Sequence, residues 1–121
     1  MKALIERLPK VELHLHIEGT LEPELMLTLA ERNQIELPYK SLRAVQAAYY
    51  FEDLQSFLNL YYLGASVLVT ENDFYELMSQ YLSRARAQNI VHAEVMFDPQ
   101  THLQRGIGFE VFMPGFARAI E

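Results

Sequence analysis

The sequence predicts an α/β fold that forms the first part of a parallel β-barrel surrounded by helices. Two segments, residues 11–18 and 90–98, alternate polar and apolar side chains, as strands do when one face lines a polar interior and the other lies under helices. The stretch between them has the three- and four-residue apolar spacing of amphipathic helices. A solvent-exposed sheet would give the same alternation in one strand, but its repetition and the intervening helices favour the barrel.

The first strand carries the most informative pattern, because His14 and His16 lie two residues apart. Strand residues i and i+2 project from the same face, so the two imidazoles are predicted to lie close enough to bind one metal ion. The other face is predicted to enter an apolar layer through Leu13, Leu15 and Ile17. Taken alone the pair is a weak signal, and two histidines on an exposed strand face are the alternative.

Local signals mark the helices between the strands. Pro23 suits the first turn of one helix, where a missing N–H costs nothing. Thr70 and Asp73 form the acidic variant of a capping box. The helix that this box begins is predicted to end near residues 88–89.

The last segment, residues 109–121, is predicted to be a helix that Pro114 and Gly115 bend or interrupt. Two strands cannot close a barrel, and an open pair has exposed edges. Residues 1–121 are therefore predicted to be a single incomplete domain, either truncated at Glu121 or completed by strands of another copy. Exposed strand edges and apolar rows would favour self-association.

Composition excludes several kinds of partner and site. The net charge of −6 argues against a nucleic-acid partner, which would require a basic face. The chain has no cysteine and therefore neither disulfides nor cysteine-liganded zinc. Residues 1–10 are too charged for a signal peptide, and no apolar run approaches the roughly 20 residues that cross a bilayer. We expect a cytoplasmic protein without a membrane partner.

Metal-assisted hydrolysis is the chemistry that the paired histidines predict. A catalytic zinc site normally has three or more protein ligands, of which His14 and His16 supply two. The ion lowers the pKa of bound water, and a nearby carboxylate then transfers protons. In parallel barrels such sites gather at the C-terminal ends of strands, where Glu18 follows the first strand and Asp98 the second. Asp98 either lines the mouth of a pocket or caps the turn before a proline.

Two segments resemble the adenosine/adenine deaminase family. Its opening motif is similar to residues 10–24, KVELHLHIEGTLEPE, and its second strand and following loop are similar to residues 92–102, HAEVMFDPQTH. The resemblance implies the N-terminal portion of a (β/α)8 barrel with a helical insertion between the first two strands. It also implies that Zn²⁺, with His14 and His16 as its first two ligands, assists hydrolytic removal of the 6-amino group of a purine.

The resemblance also implies a purine pocket. Glu18 stands where adenosine deaminases carry aspartate, which favours free adenine, converted to hypoxanthine and ammonia, over adenosine. Gly19 is expected where a side chain would crowd the pocket, and Asp98 is expected at its mouth. The helical insertion implies a hydrophobic lid, for which Leu54 and Leu58 are the candidates.

The remaining machinery is expected beyond residue 121. The family's proton-transferring glutamate and histidine have no counterpart here, so no catalytic residue is assigned and the 121-residue chain alone is predicted to be inactive. His92 and Glu94 are interpreted as structural, and His102 does not fall where a later ligand would. The alternatives are an adenosine deaminase, another metal-dependent hydrolase, and a non-catalytic protein that uses this segment for assembly.

Overall fold

The computed structural model describes all 121 residues and contains seven α-helices and a two-stranded sheet. In chain order the elements are α1 (Lys2–Arg7), β1 (Lys10–His16), a 3₁₀ turn (Ile17–Thr20), α2 (Pro23–Arg32), α3 (Leu42–Ala48), α4 (Leu54–Ser66), α5 (Glu71–Ala87), β2 (Ile90–Met96), α6 (Pro99–Leu103) and α7 (Phe109–Ile120). None of these helices combines the length and apolar character that spanning a membrane requires.

The two strands run parallel, and α2 to α5 form the connection between them. Their pairing is irregular near the end of β1. Glu12 lies opposite Ala93 and Leu15 lies opposite Val95, so β1 fits one extra residue into the same interval. His14, within this bulge, adopts the left-handed backbone region with φ of 61°. A bulge of this kind redirects the side chains that follow it.

The predicted alternation of β1 is wrong in the part of the strand that precedes the bulge. Leu13, expected in the apolar layer, is 58% exposed. Glu12 faces α5 instead and accepts a 2.7 Å hydrogen bond from the hydroxyl of Tyr81. One inserted residue shifts side chains to the opposite face, because strand side chains alternate with a period of two. Leu15 and Ile17 lie beyond the bulge and pack in the core, as predicted.

The alternation over residues 90–98 predicts that the apolar row of β2 begins at Val91, but in the structure it begins at Ala93. Val91 is 66% exposed because the pairing passes over it, with Lys10 opposite Ile90 and Val11 opposite His92. From this point the expected alternation is confirmed, since the core-facing residues are Ala93, Val95 and Phe97.

The core lies around α5, which packs against α7, the 3₁₀ turn and β2. An aromatic cluster joins α5 to α7, with the ring of Phe74 centred 5.8 Å from Phe112 and 5.6 Å from Phe116. On the other side α2 contributes a row of buried apolar residues, Leu25, Met26, Leu29 and Ala30. The amphipathic helices thus bury one face each, as their apolar spacing predicted.

A buried carboxylate fixes the start of α5. Asp73 accepts hydrogen bonds from the backbone N–H groups of Val69 and Thr70, at 3.0 and 2.8 Å, and from the side-chain amide of Asn33 at 2.8 Å. Burial alone would raise the pKa of Asp73, but these hydrogen bonds outweigh it and lower the pKa below its ordinary value. The predicted capping box between Thr70 and Asp73 is confirmed.

The α7 helix continues through Pro114 and Gly115, so the expected interruption is wrong. Gly115 lies where α7 crosses α5, and a Cβ atom there would come within 2.4 Å of the carbonyl oxygen of Glu71. The glycine therefore permits close approach of the two helices. We attribute the continuity of the helix to this packing, which compensates for the hydrogen bond that a proline removes.

The Gly115→Ala substitution is expected to destabilise the protein. The added methyl group would meet the backbone of α5, so the helices must separate, at a cost of about 1–3 kcal/mol. The improvement in helix propensity, about 1 kcal/mol, offsets only part of this cost. Chemical denaturation of the protein would measure the difference.

Gly64→Ala is the matched control, because Gly64 also lies inside a helix but its added Cβ would meet only the end of the Leu21 side chain, at 3.3 Å. We expect it to change the unfolding free energy by less than about 1 kcal/mol. Equal losses in the two variants would contradict the close-approach explanation.

Candidate metal centre and adjoining cavity

His14 and His16 lie together at the C-terminal end of β1. Their ring centroids are 5.3 Å apart, and their planes are inclined by 37°. Both imidazoles line one cavity of about 460 Å³. The bulge at His14, rather than the regular alternation that the sequence suggested, gives the two rings this arrangement. The two rings thus lie close together beside one cavity, and their binding of a single metal ion stays a prediction.

The donor chemistry of this pair fits a divalent transition metal, but the pair is only part of a site. Imidazole nitrogen suits Zn²⁺ and several related ions. No third His, Cys, Asp or Glu side chain joins His14 and His16 in a ligand cluster. His92 lies beside Glu94 on the exposed face of β2, with 3.9 Å between their nearest N and O atoms, and His102 is buried elsewhere.

The wall of the cavity opposite the histidines belongs to α4. It is formed by Phe57, Leu58, Tyr61 and Tyr62. The expectation for Leu58 as a lining residue agrees with this geometry, whereas the one for Leu54 is wrong. Leu54 is 71% exposed and begins the helix one turn before Leu58, beyond the edge of the cavity.

Glu18 lies behind the cavity wall, in the 3₁₀ turn, and is only 2% exposed. Its Oε1 atom accepts hydrogen bonds from the backbone N–H of Asp98 at 2.8 Å and from Nε2 of His102 at 2.9 Å. Its Oε2 atom accepts one from the hydroxyl of Tyr61 at 3.2 Å. The carboxylate is therefore engaged with protein groups, and its predicted contact with substrate stays a prediction.

Burial and the charge of Glu18 both raise the pKa of Tyr61 above its ordinary value. The phenol therefore remains protonated and can donate to the carboxylate. Since the Tyr61 ring also lines the cavity with the histidines, this hydrogen bond connects the buried carboxylate to the cavity surface.

Asp98 combines the two roles that the sequence left open. It lines the cavity of the histidines, and it is the N-cap residue of α6, where its side chain accepts a 3.4 Å hydrogen bond from the backbone N–H of Thr101. Gly19 also lines the cavity, but a Cβ atom there would lie 3.8 Å from the Tyr61 ring, an ordinary contact. A methyl group at Gly19 would therefore not clash with the protein, and the expectation that a side chain there would crowd a bound ligand stays a prediction.

Comparison with known proteins identifies the family to which this arrangement belongs. The family model described as adenosine deaminase matches residues 9–121. The chain belongs to the adenosine deaminase family. An adenine deaminase from Wolinella succinogenes is 59% identical over 121 residues, which cover all of this chain and 37% of that protein.

Solved structures agree with this deaminase family. The crystal structure of adenine deaminase from Arthrobacter aurescens matches with a TM-score of 0.87 and 54% identity, over 92% of this chain and 34% of that one. An amidohydrolase from Burkholderia ambifaria, with bound Zn, matches with a TM-score of 0.77 and 25% identity, over 98% of this chain and 32% of that one.

A complex of the protein ADAL with IMP shares the fold, with a TM-score of 0.74 at 19% identity over 99% of this chain and 36% of that one. The chain thus spans about a third of the length of the relatives that it matches. The predicted fold class, the N-terminal part of a deaminase barrel, is confirmed by these matches.

Sequence analysis of this deaminase-family chain missed the partners of Glu18. His102 is completely buried, and Arg105 lies in the turn that follows α6, with its Nη2 atom 3.0 Å from Nδ1 of His102. No local signal indicated that His102 would meet a carboxylate 84 residues earlier.

Substitutions at Asp98 test its role as the N-cap residue of α6. Asp98→Ala removes the N-cap of α6 and is expected to lower the unfolding free energy by about 1 kcal/mol. Asp98→Asn keeps a capping oxygen, so we expect a loss of less than about 0.5 kcal/mol. Thermal unfolding of both variants measures the difference, and equal destabilisation would contradict the capping assignment.

Proposed function

We propose that this chain is the N-terminal part of a metal-dependent adenine deaminase that hydrolyses adenine to hypoxanthine and ammonia. The paired imidazoles of His14 and His16, in a cavity with an aromatic opposite wall, carry the proposal. The 59% identity to an adenine deaminase over the whole chain supports free adenine as the substrate. The reaction is proposed for the whole protein, because this chain corresponds to about a third of the length of its relatives.

We propose Zn²⁺ as the metal, held by His14 and His16 and by ligands outside residues 1–121. Imidazole donors suit this ion, and the amidohydrolase from Burkholderia ambifaria contains it. When bound, Zn²⁺ supplies a water with a lowered pKa, the nucleophile that hydrolysis at neutral pH requires. The groups that transfer protons are also expected outside this chain, so residues 1–121 alone would be inactive.

The purine would bind against α4. Phe57, Tyr61 and Tyr62 offer ring faces and edges to a planar base, and Leu58 adds apolar surface. A cavity of about 460 Å³ lies within the ordinary range for small-molecule sites, and it leaves room for one small ligand.

We further propose that residues 1–121 form an incomplete domain. Apolar side chains are exposed on the two-stranded sheet at Val11, Leu13, Val91 and Met96. Further strands of a barrel would cover such surface, and without them it would promote self-association. An incomplete barrel thus explains why these apolar side chains are exposed, and no assembly function is needed to account for them.

Removing either imidazole is expected to abolish metal-dependent turnover in the full-length protein. His14→Ala and His16→Ala each delete a proposed first ligand, so bound zinc should fall to background and ammonia release from adenine should drop by about 100-fold or more. His92→Ala is the control, because its ring lies outside the cavity that His14 and His16 line. Metal analysis of each purified variant gives the first readout.

Two outcomes would contradict this assignment. Full zinc occupancy in a double variant of His14 and His16 would exclude these residues as ligands. Faster turnover of adenosine than of adenine by the wild-type protein would place it in the other branch of the family.

Leu58 and Leu54 provide a matched test of the apolar wall. Leu58→Ala removes apolar surface from the cavity, and we expect KM for adenine to rise by about three- to tenfold in the full-length enzyme. Leu54→Ala, on the same helix but outside the cavity, should leave KM within about twofold of wild type. Steady-state kinetics measure both, and an effect confined to Leu54 would refute the proposed wall.

A further inference from the structure

A buried polar cluster lies behind the cavity. It consists of Glu18, Tyr61, His102 and Arg105, and we call it the Glu18 cluster. The side chains of Glu18 and His102 are both fully inaccessible to solvent. The imidazole of His102 packs edge-to-face on Phe74, with 4.9 Å between ring centroids, so solvent does not satisfy its polar atoms.

The hydrogen bonds of the cluster determine which nitrogen of His102 carries the proton. A guanidinium group has only donors, so Nδ1 of His102 must accept the 3.0 Å hydrogen bond from Arg105. The proton of the neutral ring is then on Nε2, which donates to Oε1 of Glu18 at 2.9 Å. Arg105 thus selects the tautomer that Glu18 requires.

Arg105 is itself fixed by the end of α4. Its guanidinium donates to the carbonyl oxygens of Ser66 and Leu68, at 3.3 and 2.9 Å, where the helix ends and unpaired carbonyl groups attract a cation. At its other end, the cluster reaches the middle of α4 through the hydroxyl of Tyr61. The cluster therefore joins α6 and the turn that follows it to α4 at two separate points.

Two of the three hydrogen bonds of Glu18 end at parts of the cavity. The Tyr61 ring forms the α4 wall, and the backbone N–H of Asp98 begins the segment from β2 to α6 that forms another edge. His102 is the third donor, and it alone has no contact with the cavity. Without this donor, Oε1 would keep a single partner and the carboxylate could rotate away from Tyr61.

We propose that His102 is a positioning residue, held in one tautomer by Arg105, which orients Glu18 and thereby fixes Tyr61 and Asp98 around the ligand cavity. This inference rests on the proposed function for its kinetic consequence but not for its geometry. A buried polar cluster is no more stabilising than a well-packed apolar core, so its value lies in the single arrangement that it enforces.

A pair of substitutions tests the two nitrogens of His102 separately in the full-length protein. His102→Gln places an amide N–H near the position of Nε2 and keeps the donor to Glu18. His102→Asn keeps an acceptor for Arg105 near the position of Nδ1 but loses that donor. We expect His102→Asn to raise KM for adenine by about tenfold or more, because a hydrogen bond to a charged group is lost, with a smaller change in kcat. His102→Gln should stay within about threefold of wild type.

Thermal unfolding separates positioning from simple destabilisation. The two variants are expected to have similar midpoints, since both replace the buried imidazole with a smaller amide. Equal loss of kcat/KM in both variants, or an unchanged KM in His102→Asn, would overturn the inference.

Two structural readouts keep this test independent of turnover. Long-range ¹H–¹⁵N spectra of histidine-labelled protein should show His102 as the Nε2–H tautomer, and a crystal structure of His102→Asn should show Tyr61 displaced. The other tautomer, or an unmoved Tyr61, would refute the positioning role. Absence of adenine turnover by the wild-type protein would instead refute the proposed function and leave these two readouts to decide the role of His102.

Discussion

The burial of the Glu18 carboxylate is the constraint on which the rest of the cavity depends. Removing a carboxylate from water costs several kcal/mol unless hydrogen bonds replace its hydration. The three donors come from α4, from the end of β2 and from α6, which are 43 to 84 residues away along the chain. Because all three elements must be in place before the carboxylate is satisfied, the energetic requirement of one side chain brings the walls of the cavity together.

The β1 bulge also shapes the cavity, through the strained backbone of His14 rather than through the burial of a charge. A histidine with φ of 61° is in a backbone region that non-glycine residues seldom occupy, and the cost is of order 1–3 kcal/mol. The neighbouring pairing and the burial of Ile17 keep the strand in this form. The consequence is local and specific, because the inserted residue exposes Leu13 and leaves the rings of His14 and His16 5.3 Å apart beside the cavity. Backbone strain and the proposed metal-ligand role thus coincide at His14.

Features encoded by adjacent residues were predictable from the sequence, and features that depend on distant contacts were not. Helix starts such as the Thr70–Asp73 capping box, and the strand that carries the histidines, follow from local patterns. The exposure of Leu13 depends on how β1 pairs with a strand 80 residues later, and the continuity of α7 at Pro114 depends on packing against α5. The hydrogen bond between Glu18 and His102 likewise joins residues that are distant in the chain. The spacing of polar and apolar residues could not predict it.

The geometry also separates the chemical roles of the two sides of the cavity. One side presents two imidazoles, the proposed metal ligands, from a single strand, and the other presents aromatic and apolar side chains from α4. Two ligands leave the coordination sphere of a tetrahedral ion open, and in a parallel barrel further ligands enter from the C-terminal ends of other strands. Of the α4 wall, the Tyr61 side chain is held by the Glu18 cluster within these residues. We therefore infer that these residues supply one wall for the proposed base and two ligands of the proposed metal centre.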